Sequence, residues 1–326
     1  MSVMPLAEIQ LAASRIRPAV VRTALEPSPS LSRLAGVPVH LKMEHRQRTG
    51  AFKLRGAANA ILSLPPGTRG VVAASTGNHG RALAHAARAA GLACTICLSR
   101  LVPANKIVAI EALGARVHIQ GAGQDDAQRE ADRLAAEEGF VGVPPFDHPA
   151  IVAGQGTIGL EIVEDLPDVE TVLVPLSGGG LMAGVAAAVK ALSPRTRIVG
   201  VSMERGAAMA ASLQAGRPIE VEERSTLADS LGGGIGLSNR WTFEATRQLV
   251  DEVVLVTEAE IAAGIRQIYR EEREVVEGAA AVGVSALLSG RVRPLGATVA
   301  LLSGRNIDPT LHLRVLNGAD SLEDRT

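Results

Sequence analysis

The segment Arg48-Thr49-Gly50-Ala51-Phe52-Lys53-Leu54-Arg55-Gly56-Ala57 has the composition of a short turn that delivers one lysine into the head of a helix. Thr49 and Gly50 are residue types that favour the start of a helix, whereas Gly56 costs helix stability that nothing local offsets. A lysine just behind Phe52 in apolar surroundings loses hydration, which favours its neutral amine, and a neutral amine attacks carbonyls in Schiff-base chemistry. An ordinary surface lysine beside a core phenylalanine reads the same way over this stretch alone. The rest of the chain has to decide between them.

Working outward, Ala7 to Ile16 has helical amphipathicity, and Val37 to Met43 reads as a strand leading into the lysine turn. Downstream, Pro65-Pro66-Gly67 breaks the chain, and Val71 to Ala74 is a short apolar strand. Ser75-Thr76-Gly77-Asn78-His79-Gly80 then runs into an Ala-rich helix from Arg81 to Ala90. Small residues at a helix amino terminus leave backbone N–H groups for a carboxylate, although a capped turn without a ligand has the same signature. Strand and helix patterns continue to alternate over Ala93 to Leu98, Asn105 to Leu113, Arg116 to Gln120 and Gln124 to Glu138. Such alternation implies parallel strands with helices packed on them.

A second glycine-bearing joint follows the apolar strand Thr171 to Leu176: Ser177-Gly178-Gly179-Gly180-Leu181, then a helix from Met182 to Leu192. Glycines let the backbone approach a phosphate, and the helix adds unpaired N–H groups and the positive end of its dipole. The G-x-G-x-x-G of a dinucleotide site is absent, as are the Lys and Ser/Thr of a nucleotide P-loop. A single monophosphate, or simply a tight strand-to-helix turn, remains. Arg197 to Ser202 and Asp251 to Val256 read as strands, and Thr257 to Glu260 as a capping box opening a helix to Glu272. Thr298 to Leu302 is a last strand, ending in Ser303-Gly304-Arg305-Asn306.

Composition bounds the class. The 326 residues suffice for a large core, in two domains or one large one; 47% are apolar and 21% charged, the balance of a globular chain. Aromatics are 2%, so the core has to come from Ala, Val, Leu and Ile. A net charge of -1 provides no basic field for nucleic acid or an anionic membrane. No apolar run reaches the roughly 20 residues of a membrane span. The amino terminus lacks a secretory pattern, and a cytoplasmic location is expected. Cys94 and Cys97 have C-x-x-C spacing but lie three apart in a strand, which points them to opposite faces as reduced core thiols.

The run T-G-A-F-K-L-R-G-A resembles the cofactor-lysine motif of the fold-type II pyridoxal-phosphate (PLP) enzymes, the family of threonine and serine dehydratases and serine racemase. S-T-G-N-H-G, S-G-G-G-L and the Ser303-Gly304 end match the same family in order, and the resemblance covers nearly the whole chain. It implies an α/β fold of two three-layer domains with mostly parallel sheets, like the tryptophan synthase beta subunit. Residues 1–40 and 145–326 would form a large PLP-binding domain, and 41–144 a small mobile one. It implies the coenzyme on Lys53, packed beside Phe52, its phosphate on Gly178, Gly179, Gly180 and Leu181, its ring oxygen at Asn78 and its ring nitrogen at Ser303. Ser75, Thr76, Gly77, Asn78 and His79 would hold the carboxylate of an amino-acid substrate. Glu277 in Glu277-Gly278-Ala279-Ala280 would support the ring pocket. A neutral Ser303 suits elimination rather than transamination. The expected reaction is loss of water from a β-hydroxy amino acid of the threonine or serine type, giving a 2-oxo acid and ammonia, in a homodimer.

Three departures refine this. Racemases carry serine where this chain has Thr76; its hydroxyl can also relay a proton, though the extra methyl crowds the pocket. The acidic residues that hold a divalent cation in serine racemase are replaced by Ser202 and Ala208, so no metal is expected. Arg305, unusual after Ser-Gly, would suit a second carboxylate, as in 3-hydroxyaspartate, unless it faces solvent or pairs with Asp308. Glu204-Arg205-Gly206-Ala207-Ala208-Met209 and Ala228-Asp229-Ser230-Leu231-Gly232-Gly233-Gly234-Ile235-Gly236 resemble the dehydratase branch associated with hydroxyectoine utilisation. Because the chain ends soon after Asn306, no isoleucine-sensing regulatory domain is expected.

Overall fold

Each apolar run marked as a strand joins one of two sheets. The computed structural model describes residues 3–75, 77–100, 102, 104–121 and 124–324. Its strands are β1 (Leu25–Pro27), β2 (Val39–Lys42), β3 (Gly70–Ala74), β4 (Ala93–Leu98), β5 (Arg116–Ile119), β6 (Val141–Gly142), β7 (Thr171–Pro175), β8 (Arg197–Met203), β9 (Glu252–Val256) and β10 (Thr298–Leu301). A six-stranded sheet has the order β1-β2-β10-β7-β8-β9, and a four-stranded sheet the order β5-β4-β3-β6. Pairing is parallel except between β1 and β2. The fold is α/β with two mostly parallel sheets, as expected. The expected boundary between residues 40 and 41 falls within β2, which pairs along its whole length in the six-stranded sheet.

Parallel sheets are stable when both faces are covered, and residue alternation achieves that here. In the large sheet Leu173 and Ala300 join one core, while Val172, Val174, Val299 and Leu301 join the opposite one. In the small sheet Val71, Ala73, Cys94 and Ile96 face the helices Lys53–Leu62 and Asn78–Ala89, whereas Val72, Ala74 and Cys97 face the helix Gln124–Glu138. The two cysteines thus lie buried on opposite faces. Burial raises their thiols to about 12 and about 11, where they stay protonated. Among the described residues no helix is long and apolar enough to cross a membrane.

Gly154-Gln155-Gly156 lies inside a 17-residue helix, Pro149–Asp165. A Cβ on Gly154 would stand 2.6 Å from the Arg55 carbonyl oxygen and 2.7 Å from Gly56 Cα; one on Gly56 would stand 2.5 Å from Gln155 Nε2. The helix cost of Gly56 is the condition for two backbones to touch. That contact fixes the helix that begins at Lys53. Charge fixes it further: Arg55, 1% exposed, donates to Glu44 at 2.7 and 2.9 Å and to Glu161 at 2.6 and 2.8 Å. Lys42 Nζ also reaches Glu161, at 2.6 Å.

Candidate active site

The lysine turn is built differently from the expected helix start. Gly50 has φ +78°, and a Cβ there would meet Asn306 Oδ1 at 2.6 Å. Ala51 bridges antiparallel to Gly304, and the Phe52 N–H donates to the Ser303 carbonyl at 3.0 Å. The helix starts at Lys53 after Phe52, without a side-chain cap. Thr49 and Gly50 therefore do not cap it: Gly50 turns the chain so that it can pair with the segment following β10. This pairing sets Lys53 beside Ser303. The Lys53 Nζ donates to the Pro145 carbonyl at 2.7 Å and lies 5.4 Å from the centre of the Phe52 ring. Burial lowers the amine to about 8, against an opposing pull from Glu277.

Lys53, Phe52, Ser303 and Glu277 open on a cavity of about 370 Å³, and Ser177, Gly178, Gly179, Gly180 and Leu181 line it as well. Gly179 has φ +88°, a left-handed conformation that glycine adopts without strain. The first hydrogen bond of the helix Gly180–Leu192 runs from Ala183 N to Gly179 O, so the N–H groups of Gly180, Leu181 and Met182 have no partner within it. A Cβ on Gly178 would sit 2.4 Å from the Phe146 ring, and one on Gly180 2.9 Å from Phe146 Cα.

The segment Pro145-Phe146-Asp147-His148 makes four separate contacts. Pro145 accepts from Lys53, and Phe146 packs on the glycine turn. Asp147 accepts from the N–H groups of Arg240, Trp241 and Thr242 at 2.7, 2.7 and 3.0 Å, and His148 caps the helix Pro149–Asp165. A strongly turn-forming segment carrying an aromatic residue was the available signal.

The loop after β3 supplies Ser75, Gly77, Asn78 and His79 to the same cavity; Thr76 lies outside the described residues. Ser75 Oγ accepts from the Gly80 N–H at 3.2 Å, and His79 Nε2 bonds the Val143 carbonyl at 2.8 Å. Burial, with the charge of Lys53, lowers His79 to about 3, so the ring is neutral and donates. Asn78 donates through Nδ2 to Glu277 Oε1 at 2.8 Å and accepts through Oδ1 from Asn306 Nδ2 at 2.6 Å. Burial, with the nearby charge of Asp229, raises Glu277 to about 7 against the hydrogen bonds it accepts. Glu277 and Asn306 thus form a network that motif matching does not reveal.

Arg305 is exposed and does not line this cavity. It lines an adjoining cleft of about 330 Å³ that shares Gly77, Asn78, Asp229 and Ser230 with the first, and Asp308 caps the helix Pro309–Leu316. Among the described residues no three His, Cys, Asp or Glu side chains gather as a metal-holding group. Glu204, near the replaced cation ligands, pairs with Arg291 at 3.4 Å.

These residues fit the coenzyme implied by the resemblance. Phe146 fills the space that side chains on the glycine turn would need, leaving a backbone cradle with free N–H groups for a phosphate. A lysine amine with depressed proton affinity shares the cavity for an aldehyde. Both requirements are met at the carboxyl ends of parallel strands, where α/β sheets bind ligands.

Residues 16–304 match the model of a family described as pyridoxal-phosphate dependent enzymes. The chain is 61% identical over 321 residues to a Sinorhizobium fredii protein provisionally named a threonine dehydratase, covering 98% of this chain and 97% of that one. It is 44% identical over 315 residues to an L-threonine ammonia-lyase of Thermotoga maritima, covering 96% and 78% of the two chains. The solved structure of maize serine racemase superposes with a TM-score of 0.90 at 32% identity, covering 97% of this chain and 98% of that one. Family model, relatives and fold agree with a lysine and a glycine cradle in one cavity: this chain belongs to the pyridoxal-phosphate dependent enzymes.

Proposed function

We propose that this protein is a PLP-dependent ammonia-lyase that removes water from a β-hydroxy amino acid of the threonine or serine type, releasing a 2-oxo acid and ammonia. The observation that carries the reading is the sharing of one cavity by the Lys53 amine, lowered to about 8, and the Gly178–Gly180 turn. When bound, PLP supplies an aldehyde that condenses with amines and a ring that takes up the electrons left at the substrate α-carbon. Gly178, Gly179, Gly180 and Leu181 would hold its phosphate, Phe52 would pack beside its ring, Ser303 would meet the ring nitrogen and Asn78 the ring oxygen. Ser75, Thr76, Gly77, Asn78 and His79 would orient the substrate carboxylate through the amino terminus of the helix Asn78–Ala89.

Lys53 Nζ is the group to accept the substrate α-proton, because a neutral amine near the working pH is an effective general base. The β-hydroxyl then leaves as water, and the unsaturated amine that remains hydrolyses to the 2-oxo acid and ammonia. The carboxylate loop comes from the small sheet and the glycine turn from the large one. This supports a small mobile domain, beginning after β2 and ending near residue 144, that closes over the site and excludes water. A homodimer and a cytoplasmic location complete the reading.

The test is release of ammonia and 2-oxo acid from L-threonine and L-serine by the purified protein with PLP. The account requires turnover that disappears in Lys53→Ala; wild-type protein that releases neither product would refute it, and interconversion of serine enantiomers without ammonia would favour a racemase. A finer assignment to 3-hydroxyaspartate, or to a hydroxy amino acid of the hydroxyectoine-utilisation branch, needs Arg305, exposed and lining only the adjoining cleft, to reach a second carboxylate. It requires Arg305→Ala to lower turnover of 3-hydroxyaspartate relative to threonine.

A further inference from the structure

An asparagine amide can present either a donor or an acceptor, and only its neighbours determine which. For Asn78 both ends are determined. At one end Asn306 Nδ2 donates to the Thr49 carbonyl at 3.0 Å, and a carbonyl can only accept, so the atom of Asn306 facing Asn78 is a nitrogen. The atom of Asn78 that meets it at 2.6 Å is therefore the oxygen. At the other end stands the Glu277 carboxylate, which takes the Asn78 Nδ2 donor at 2.8 Å on one oxygen and the Asn306 backbone N–H at 3.1 Å on the other.

The two ends of the amide also belong to different spaces. Glu277 lines the cavity containing Lys53 but not the adjoining cleft; Asn306 lines the cleft but not the cavity; Asn78 lines both. The NH2 end of Asn78 consequently lies on the Lys53 side, with one hydrogen beyond the one given to Glu277. We propose that Glu277 and Asn306 are positioning residues that lock Asn78 as a hydrogen-bond donor toward the cavity, so that the coenzyme's ring oxygen is held as an anion. This rests on the reading that Asn78 meets that oxygen. A flipped amide would present its carbonyl and favour the protonated hydroxyl instead.

The experiment uses PLP-loaded wild-type, Glu277→Gln, Glu277→Asp, Asn306→Ala and Asn78→Ala proteins at one pH above the Glu277 value of about 7, where that group is a carboxylate. It reads the ratio of the visible absorption band of the anionic ring oxygen to the near-ultraviolet band of its protonated form. Glu277→Gln retains shape but cannot accept from both neighbours, so the ratio should fall about five-fold, the factor for one ordinary hydrogen bond. Glu277→Asp, which keeps the carboxylate, should recover part of that ratio, and Asn306→Ala should lower it independently of any folding defect in Glu277→Gln. A ratio that changes in Asn78→Ala but in neither Glu277→Gln nor Asn306→Ala overturns the lock and leaves Asn78 at the ring oxygen. A ratio unchanged in Asn78→Ala removes that contact, and the proposal with it.

Discussion

Lys53 and Arg55 leave the same first turn of one helix and enter two different polar surroundings. Arg55 meets Glu44 and Glu161, with Lys42 beside them: two cations and two carboxylates, all joined by short hydrogen bonds. Burial alone would raise Glu44, but Arg55, together with Lys42, outweighs it and holds the carboxyl below its usual range. Burial would likewise lower Arg55, and the two carboxylates drive it the other way. Among the described residues no carboxylate pairs with Lys53. Its amine bonds a carbonyl, and burial wins, as it does for Glu277. The difference teaches that burial alone does not make a residue reactive: a buried charge with partners is pinned, and one left near neutrality can exchange a proton.

The comparison predicts opposite consequences for neighbouring residues. Lys53→Ala should lower turnover by at least the roughly 10²–10⁴-fold that a general base contributes, while the urea midpoint of the coenzyme-free protein stays level or rises. Arg55→Met should leave Glu44 buried without a paired cation and Glu161 held by Lys42 alone, and cost about 3–5 kcal/mol in urea unfolding. A loss below about 1 kcal/mol, the worth of an exposed pair, would mean that the cluster is not closed and would break the contrast.

A smaller effect sharpens it through pH. Glu277 has a folded value of about 7 against an ordinary 4.5, so the folded protein keeps a proton that the unfolded chain releases. Its contribution to stability is therefore full below about 4.5 and lost as pH rises through about 7. Stability of the coenzyme-free wild type relative to Glu277→Gln should fall by about 1–3 kcal/mol across that interval. A flat difference would place Glu277 among the pinned charges.

How much of this was legible in sequence follows the range of the interactions. All the strands but β1 and β6, which are 3 and 2 residues long, showed because alternating or continuous apolar runs are local, and the lysine and glycine stretches because their chemistry is local too. The helix Pro149–Asp165 was not visible as one, since Gly154, Gly156 and Gly159 interrupt its sequence and burial from Ile151 to Ile162 erases any polar face. Gly278–Leu288 is buried almost throughout for the same reason. The roles of Pro145, Phe146 and Asp147, and the Glu277–Asn78–Asn306 network, depend on partners up to about 230 positions away and are set by tertiary contact rather than by periodicity.

The account turns on which amine carries the coenzyme. The chain has four lysines, Lys42, Lys53, Lys106 and Lys190; Lys42 is paired with Glu161 and Lys190 with Asp251. Borohydride reduction of the PLP-loaded protein fixes the coenzyme to its lysine, and peptide mass mapping then locates it. The predicted result is a single modified peptide containing Lys53. Modification at Lys42, Lys106 or Lys190 instead, or protein that retains no coenzyme, would contradict the account.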